Sequence, residues 1–316
     1  MASRLRRALL AALLTTSVAL PVSAAARPSA VPAPAPPRLA PLTAATTTPG
    51  TLDARYAVNR ASLRAAERMA AGHGDRRRAA ALRAMADPAR RFLHFDGRDG
   101  GRTAEVVGDL ARADRVAVLV PGADTGLDTY GRFHAGAVAL QRELGDRAAV
   151  VAWLGYETPR TLGPEALTDG RAADAGPRLA AFVRELARAK PAARISLLCH
   201  SYGSVVCADA APGLPVADIV LYGSPGTGRT GTARQLRTTA TVWAGRGAAD
   251  WIADVPHVRL RVPFLTTVGF GTDPVSPEFG ARVFDAGAGG HSDYLAPGSA
   301  PLRTLARIVS GEVPDA

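Results

Sequence analysis

The sequence is poor in several residue types, and each scarcity excludes a class of protein. Two cysteines in 316 residues cannot build a disulfide-rich scaffold. The six histidines show no paired spacing with Cys, Asp or Glu, so we expect neither a metal nor another cofactor. Aromatic residues make up 5% of the chain, and none interleaves with the arginine runs, Arg76-Arg77-Arg78 and Arg90-Arg91. A nucleic-acid partner is therefore not expected, because its binding platform needs such aromatic side chains.

The N-terminus has the organisation of a secretory signal. Arg4, Arg6 and Arg7 precede an apolar stretch over residues 8–20, and a small-residue exit ends at Ala24. The apolar stretch is too short, and too often interrupted by Ser and Thr, to favour a permanent bilayer span. We expect cleavage after Ala24 and a product that is secreted or associated with the cell envelope; an uncleaved anchor is the alternative.

Composition divides the chain into segments. After the signal peptide, residues 1–24, residues 25–50 hold mainly Pro, Ala and Thr and predict a disordered linker, because they cannot bury enough surface to fold. Alanine, leucine and arginine then recur at helical spacing over residues 51–90, with a break at Gly72-His73-Gly74. This pattern predicts a helical segment that packs on the core of the main domain, residues 91–316.

Strand and helix patterns alternate through the main domain. It opens with a hairpin pattern, and short apolar runs typical of strands buried on both faces follow, separated by amphipathic helices. The runs that predict strands are 116–120, 150–154, 195–198, 219–222, 241–244 and 283–284, and the predicted helices are 130–144, 178–189 and 232–238. The order predicts an α/β fold with a mainly parallel central sheet and helices on both faces.

One predicted strand-to-helix junction carries a candidate nucleophile. The strand pattern stops at Cys199-His200-Ser201-Tyr202-Gly203, and helical spacing follows at once. A serine at such a corner is held in a strained backbone conformation that lifts its hydroxyl clear of the sheet, and small residues are needed two places to either side. Gly203 meets that requirement, and Cys199 meets it less well. Ser201 is therefore the predicted nucleophile.

A second serine and the two cysteines leave alternatives at this junction. Ser224-Pro225-Gly226 also contains Ser-x-Gly, but it closes a predicted strand and is interpreted as a turn. Cys199 and Cys207 could form a disulfide in an exported chain, yet a bridge between a strand end and a helix needs a specific geometry. The sequence is compatible with both a bridge and two buried thiols.

A glycine-rich loop after the first parallel strand is a candidate oxyanion hole. The loop is Pro121-Gly122-Ala123-Asp124-Thr125-Gly126. In a strand–turn–helix serine site, this loop supplies one backbone amide and the residue after the nucleophile supplies the second. Ala123 is the predicted first donor, with Asp124 as the fallback, and Tyr202 is the second. A plain turn into the next helix is the alternative.

A serine hydroxyl needs an imidazole to accept its proton and a carboxylate to orient that imidazole. Asp250 and His291 each follow a predicted strand, where the active residues of parallel sheets gather. Ser201, Asp250 and His291 also occur in the order expected for such a site. Asp254 and Asp273 are the alternative acids. His291 could instead be a surface residue of a polar turn.

The long connection over residues 256–280 has two interpretations. Val262, Phe264, Leu265 and Phe270 make it apolar, and it is long for a plain connection. It could cap the site, which would imply a substrate with an apolar part. A surface excursion that packs for stability is equally favoured.

Several motifs together resemble one family, the bacterial α/β-hydrolases long catalogued as a domain of unknown function. The resemblance covers about residues 52–310 and implies the α/β-hydrolase fold and a serine-hydrolase site, with no settled substrate. Cys199 departs from the glycine usual there. The motifs are Arg55-Tyr56-Ala57-Val58-Asn59-Arg60, Gly108-Asp109, Trp153-Leu154-Gly155-Tyr156, His200-Ser201-Tyr202-Gly203-Ser204, Gly223-Ser224-Pro225-Gly226 and Gly290-His291-Ser292-Asp293-Tyr294-Leu295.

Two functions from different classes follow from these observations. The first is a secreted serine hydrolase that cleaves a carboxylic ester, small or lipid-like, through a Ser-His-Asp triad and an acyl-enzyme. The second is a non-catalytic binding or scaffold protein of the cell surface that keeps the sheet but performs no chemistry. Labelling by a fluorophosphonate discriminates between them, because only an activated serine reacts.

Overall fold

Helices and strands alternate through the part of the chain that the computed structural model describes, residues 31–261 and 267–312. The helices are α1 Pro49–Gly72, α2 Arg76–Met85, α3 Tyr130–Leu144, α4 Gly170–Ala189, α5 Gly203–Ala210 and α6 Ala300–Ser310. The strands are β1 Arg91–Asp96, β2 Arg102–Gly108, β3 Arg115–Val120, β4 Ala148–Leu154, β5 Arg194–His200, β6 Asp218–Tyr222, β7 Thr241–Gly245, β8 Leu260–Arg261, β9 Thr267–Val268 and β10 Arg282–Val283. The predicted signal peptide and residues 25–30 of the predicted linker lie outside the described ranges.

The centre of the fold is an eight-stranded sheet with the order β1-β2-β4-β3-β5-β6-β7-β10. The hairpin β1–β2 and the pair β2–β4 are antiparallel. Every other pair in this sheet is parallel. The predicted α/β class, with its antiparallel opening and mainly parallel sheet, is therefore confirmed.

Both faces of the sheet are covered, as the solid apolar runs predicted. Along β3, Val116, Val118 and Val120 belong to one buried cluster that includes residues of α1, α4 and α5. Ala117 and Leu119 alternate with them and are also fully buried. On that second face, α3 and α6 pack together and contact β4 and β3 respectively. The strand ends that carry the site are thus held between two layers of helices.

The helical segment before the sheet begins earlier than the predicted linker allows. α1 and α2 are separated at the predicted glycine break, and α1 packs on β1. Residues 31–48 form neither helix nor strand, yet Leu42 is buried and its amide donates a hydrogen bond to Glu185. Residues 49 and 50 of the predicted linker therefore belong to α1, and Leu42 packs in the core cluster.

The helix predicted over residues 232–238 is wrong. Residues 232–238 form only a short 3-10 turn, Ala233–Leu236. Arg237 takes a φ of 49°, in the left-handed region, and ends the turn. Within the described residues, no helix is long and apolar enough to cross a membrane.

Candidate active site

The candidate nucleophile lies at the corner between β5 and α5. Ser201 follows the last residue of β5 and has a φ of 52°, which an L-residue adopts only at a local cost of roughly 1–3 kcal/mol. The corner is held by the Ser201 amide, which donates to the carbonyl of Tyr222 at 3.0 Å. The Ser201 side chain lines a cavity above the sheet. This is the strained strand-to-helix turn that the sequence predicted.

Two glycines allow the end of β3 to approach this corner. A Cβ on Gly203 would lie 2.7 Å from the carbonyl oxygens of Val120 and Pro121. A Cβ on Gly122 would lie 2.6 Å from the Cβ of Ser201. Both distances are shorter than any ordinary carbon contact, so a larger residue at either position would displace the nucleophile or the adjacent loop. The role of Gly122 was not predicted, because it depends on a contact between distant segments.

The two cysteines form a disulfide across the same corner. Cys199 is the penultimate residue of β5 and Cys207 lies in α5, with a Cα–Cα distance of 6.3 Å. Both residues are fully buried. Of the two alternatives that the sequence left open, the structure has the bridge. The position where the motif favours glycine is therefore occupied by a residue that ties the strand to the nucleophile helix.

A chain of hydrogen bonds joins the three predicted catalytic side chains. His291 Nε2 lies 2.9 Å from Ser201 Oγ, although 90 residues separate the two along the sequence. His291 Nδ1 lies 2.8 Å from Asp250 Oδ1. This geometry suits the tautomer that carries hydrogen on Nδ1 and leaves Nε2 free to accept the serine proton.

The candidate acid has a second partner that sequence reasoning missed. Asp250 is 2% exposed, and its Oδ2 accepts a hydrogen bond from the hydroxyl of Tyr294. That hydroxyl in turn accepts one from the Gly247 amide at 3.0 Å. Burial opposes ionisation of Asp250, but hydrogen bonds from His291, Tyr294 and the Ile252 amide outweigh it and hold the pKa of Asp250 below its ordinary value. Asp250 is therefore an anion at neutral pH.

Tyr294 lies in the motif Gly290 to Leu295, but the motif alone does not predict its contact with Asp250. The path of the loop after β10 decides which atom the phenol reaches. The pKa of Tyr294 is raised by burial and by the adjacent Asp250, so its hydroxyl keeps its proton and donates a hydrogen bond to the carboxylate.

Neither alternative acid contacts His291 among the described residues. Asp273 Oδ2 accepts a hydrogen bond from Arg246 at 2.6 Å and lies 3.6 Å from His257 Nε2. Asp254 is exposed, at the end of the 3-10 turn Trp251–Asp254. The carboxylate on His291 Nδ1 is that of Asp250.

His200, beside the nucleophile, supports the loop that carries His291. Its Nε2 donates a hydrogen bond to the backbone carbonyl of His291 at 2.8 Å, and the two rings lie 4.7 Å apart. Burial, together with the neighbouring His291, lowers the pKa of His200 to about 4. His200 is therefore neutral at pH 7 and adds no second positive charge beside the candidate base.

The backbone amides near Ser201 distinguish the two candidates for the first oxyanion donor. The Asp124 amide, the fallback, already donates to the carbonyl of Pro159 at 2.9 Å. Among the described residues, the amides of Ala123 and Tyr202 have no acceptor, and both residues line the cavity beside Ser201. These two amides could hold a developing oxyanion.

A cavity of about 1040 Å³ opens above Ser201 and is large enough for a drug-sized ligand. In the connection 256–280, which the sequence left open as a cap or a surface excursion, Phe270 lines this cavity. Val262, Phe264 and Leu265 lie outside the described residues. Within residues 31–261 and 267–312 no cluster of three or more His, Cys, Asp or Glu could hold a metal ion. The larger apolar side chains of the lining include Phe133, Leu162, Leu167, Trp251, Ile252, Phe270 and Leu295.

The sheet and this site define the class: a mainly parallel α/β protein with a serine at a strained corner below a cavity. Residues 96–260 match the family model described as alpha/beta hydrolase. The chain therefore belongs to the α/β-hydrolase family, and the resemblance drawn from its motifs is confirmed.

The chain is also similar to two mycobacterial relatives and to two solved structures. Uncharacterized proteins of Mycobacterium tuberculosis and Mycobacterium bovis are each 35% identical over 221 residues, which is 62% of this chain and 80% of theirs. The crystal structure of esterase PE8 is 18% identical with a TM-score of 0.45 and covers 67% of this chain and 99% of its own. Esterase LipW from Mycobacterium marinum is 16% identical with a TM-score of 0.43 and covers 78% and 88%.

Proposed function

We propose that the protein is a secreted serine hydrolase that cleaves carboxylic esters through an acyl-enzyme. The observation that carries the proposal is the continuous chain Ser201–His291–Asp250, with distances of 2.9 and 2.8 Å, at the base of a cavity. A merely structural histidine has no need of a hydroxyl at one nitrogen and a buried carboxylate at the other.

In the first half of the reaction, Ser201 Oγ attacks the ester carbonyl while His291 Nε2 accepts its proton. The negative charge passes to the carbonyl oxygen, which the amides of Ala123 and Tyr202 hold. The tetrahedral intermediate then expels the alcohol, and His291 donates its proton to the leaving oxygen. The acyl group remains bound to Ser201 Oγ.

In the second half, water takes the place of the alcohol. His291 Nε2 removes a proton from this water as its oxygen attacks the acyl carbon, and the carboxylic acid leaves when Ser201 Oγ recovers the proton. Asp250 stays ionised throughout and stabilises the imidazolium that forms twice in each cycle. Its depressed pKa suits that function, because the carboxylate does not take the proton from His291.

Replacement of Ser201 by Ala tests the proposal. We expect the turnover of p-nitrophenyl esters to fall by about 10⁴-fold or more, because the nucleophile is lost. A fluorophosphonate probe should label the wild type and not Ser201→Ala. Thermal unfolding of both proteins shows whether the fold is retained.

Ser224→Ala is the matched control, since Ser224 lies in the second Ser-x-Gly of the chain. We expect this variant to keep both turnover and labelling. If the folded wild type is not labelled and hydrolyses no ester, the proposal is wrong and the binding-protein alternative is favoured.

Secretion is part of the proposal and has separate support. The signal-like N-terminus and the Cys199–Cys207 bridge both suit an oxidising compartment. N-terminal sequencing of protein from the culture medium or the cell envelope of the source cells should give a chain that starts at Ala25. A cytoplasmic protein with its N-terminus intact would contradict this part of the proposal.

A further inference from the structure

The rim of the cavity exposes large apolar side chains to solvent. Leu162 is 100% exposed, Leu167 is 53% exposed and Trp251 is 47% exposed, and all three line the cavity. Val258 and Leu260, in the segment that follows Trp251, are exposed by 47% and 61%. Scattered apolar residues on a surface need no explanation, but a group of them around a cavity that contains a candidate nucleophile indicates a binding surface.

The inner wall of the cavity continues this apolar surface towards Ser201. Phe133 and Leu295 line it. Apart from histidines, the described residues of the lining include only two that carry a formal charge, Asp124 and Arg132. The Asp124 carboxylate accepts the amide of Thr161, and Arg132 is exposed. The surface beside the nucleophile is therefore suited to hydrocarbon rather than to a polar or multiply charged group.

We propose that the substrate carries a long aliphatic chain next to the scissile ester, and that Leu162 and Leu167 bind the distal part of this chain. The inference rests on the proposed function, since it concerns the substrate class of the same site. A cavity of about 1040 Å³ accommodates far more than an acetyl or butyryl group. The two leucines lie on one segment, around the 3-10 turn Pro164–Leu167, and this segment is tied to the chain beyond β9 by the Gly269 amide, which donates to the Leu167 carbonyl.

Two series of esters test the proposal and locate the chain. In the first, the alcohol is p-nitrophenol and the acyl chain runs from acetate to decanoate. In the second, acetate esters of alcohols of the same chain lengths are followed by acid release. We expect kcat/KM to rise by up to about four-fold for each added methylene in one of the two series, because each buried methylene favours binding. The series that rises identifies the side of the ester that binds the leucines.

Substitution at the rim gives the second readout. Leu162→Asp and Leu167→Asp should each lower the ratio of kcat/KM for the decanoyl or decyl ester to that for the acetyl or ethyl ester by about ten-fold. Val58→Asp is the matched control, because Val58 is 42% exposed on α1 and does not line the cavity. This control should leave the ratio unchanged. Trp251 is not substituted in this test, because its ring lies 4.7 Å from that of His291 and its loss would disturb the candidate base.

The result that overturns the inference is a flat or falling chain-length profile in both series, or a ratio unaffected by both leucine substitutions, with an enzyme that the fluorophosphonate still labels. In that case the serine-hydrolase function stands and the substrate class is wrong. Absence of labelling in the folded wild type would instead refute the proposed function itself.

Discussion

Two histidines of this protein each bind a buried carboxylate through Nδ1, and the surroundings of the two pairs differ. His134 on α3 lies 3.1 Å from Glu105 on β2, whose carboxylate also accepts two hydrogen bonds from Arg90 at 2.6 Å. His291 lies 2.8 Å from Asp250. Glu105 is 1% exposed and Asp250 is 2% exposed, so burial does not distinguish them. The difference lies in their other partners.

Arg90 pairs with both oxygens of Glu105, so the negative charge of that carboxylate is already neutralised by an arginine. Asp250 is bound by neutral donors, the Tyr294 hydroxyl and the Ile252 amide, so its charge is left to stabilise a positive imidazole ring. At the other nitrogen, His291 meets Ser201 Oγ, whereas no nucleophile among the described residues contacts Nε2 of His134. A histidine–carboxylate pair is therefore a candidate base only where the carboxylate has no cationic partner and a nucleophile faces Nε2.

Substitution of Asp250, the carboxylate without an arginine partner, should have the largest effect on activity. Asp250→Asn should lower kcat by about 10⁴-fold, because the amide favours the wrong tautomer of His291. Steady-state kinetics with a p-nitrophenyl ester measure this loss, and circular dichroism tests the fold. Asp273→Asn is the control and should change kcat by less than about three-fold, far less than the loss expected for Asp250→Asn. The opposite result for the two variants would identify Asp273 as the acid.

Glu105→Gln should destabilise the protein without a comparable loss of activity. The substitution leaves the partly buried Arg90 guanidinium without its counter-ion, which costs on the order of 3 kcal/mol in the free energy of unfolding. Urea denaturation at pH 7 measures this cost, and kcat of the folded variant should stay within about three-fold of wild type. A loss of activity like that of Asp250→Asn would show that the two pairs do not differ in the way described.

His200 binds a backbone carbonyl rather than a carboxylate, and it should make the stability of the protein depend on pH. Its pKa is lowered from 6.5 to about 4 in the folded protein, so between these values the unfolded chain binds the extra proton and the native state does not. Stability therefore falls as the pH is lowered from about 6.5 to 4, by about 3 kcal/mol from this residue. Denaturation curves across this range should show a smaller fall in His200→Gln, which keeps a donor for the His291 carbonyl. Equal slopes in the two proteins would mean that His200 is protonated in the native state.

Tyr294→Phe should have the smallest effect. It removes one hydrogen bond to Asp250 and should lower kcat by about ten-fold, because the carboxylate becomes less firmly oriented. Asp250 should also become more basic, so the acid limb of the pH–kcat/KM profile should move to higher pH. A reduced kcat with an unmoved acid limb would indicate a purely structural contribution.

Much of the fold could be predicted because the relevant signals are local. Apolar runs of strand length and amphipathic stretches gave the order of elements, and residues at strand ends gave Ser201, Asp250 and His291, since parallel strands end at one edge. The path of a loop is not local. The bond from Tyr294 to Asp250, the contact of Gly122 with Ser201 and the burial of Leu42 each depend on distant segments. Arg237 ended a predicted helix through a backbone conformation that composition does not encode.

The disulfide between Cys199 and Cys207 has a practical consequence, because it spans the residues on either side of Ser201. Recombinant protein made in a reducing cytoplasm would carry two thiols there, and non-covalent contacts alone would hold the corner. If such a preparation hydrolysed no ester, the cause could be the missing disulfide rather than the absence of a serine-hydrolase activity. Production with export to the periplasm gives the disulfide-bonded protein. Its intact mass, lower by two hydrogens than that of the reduced chain, confirms the bridge before substrates are screened.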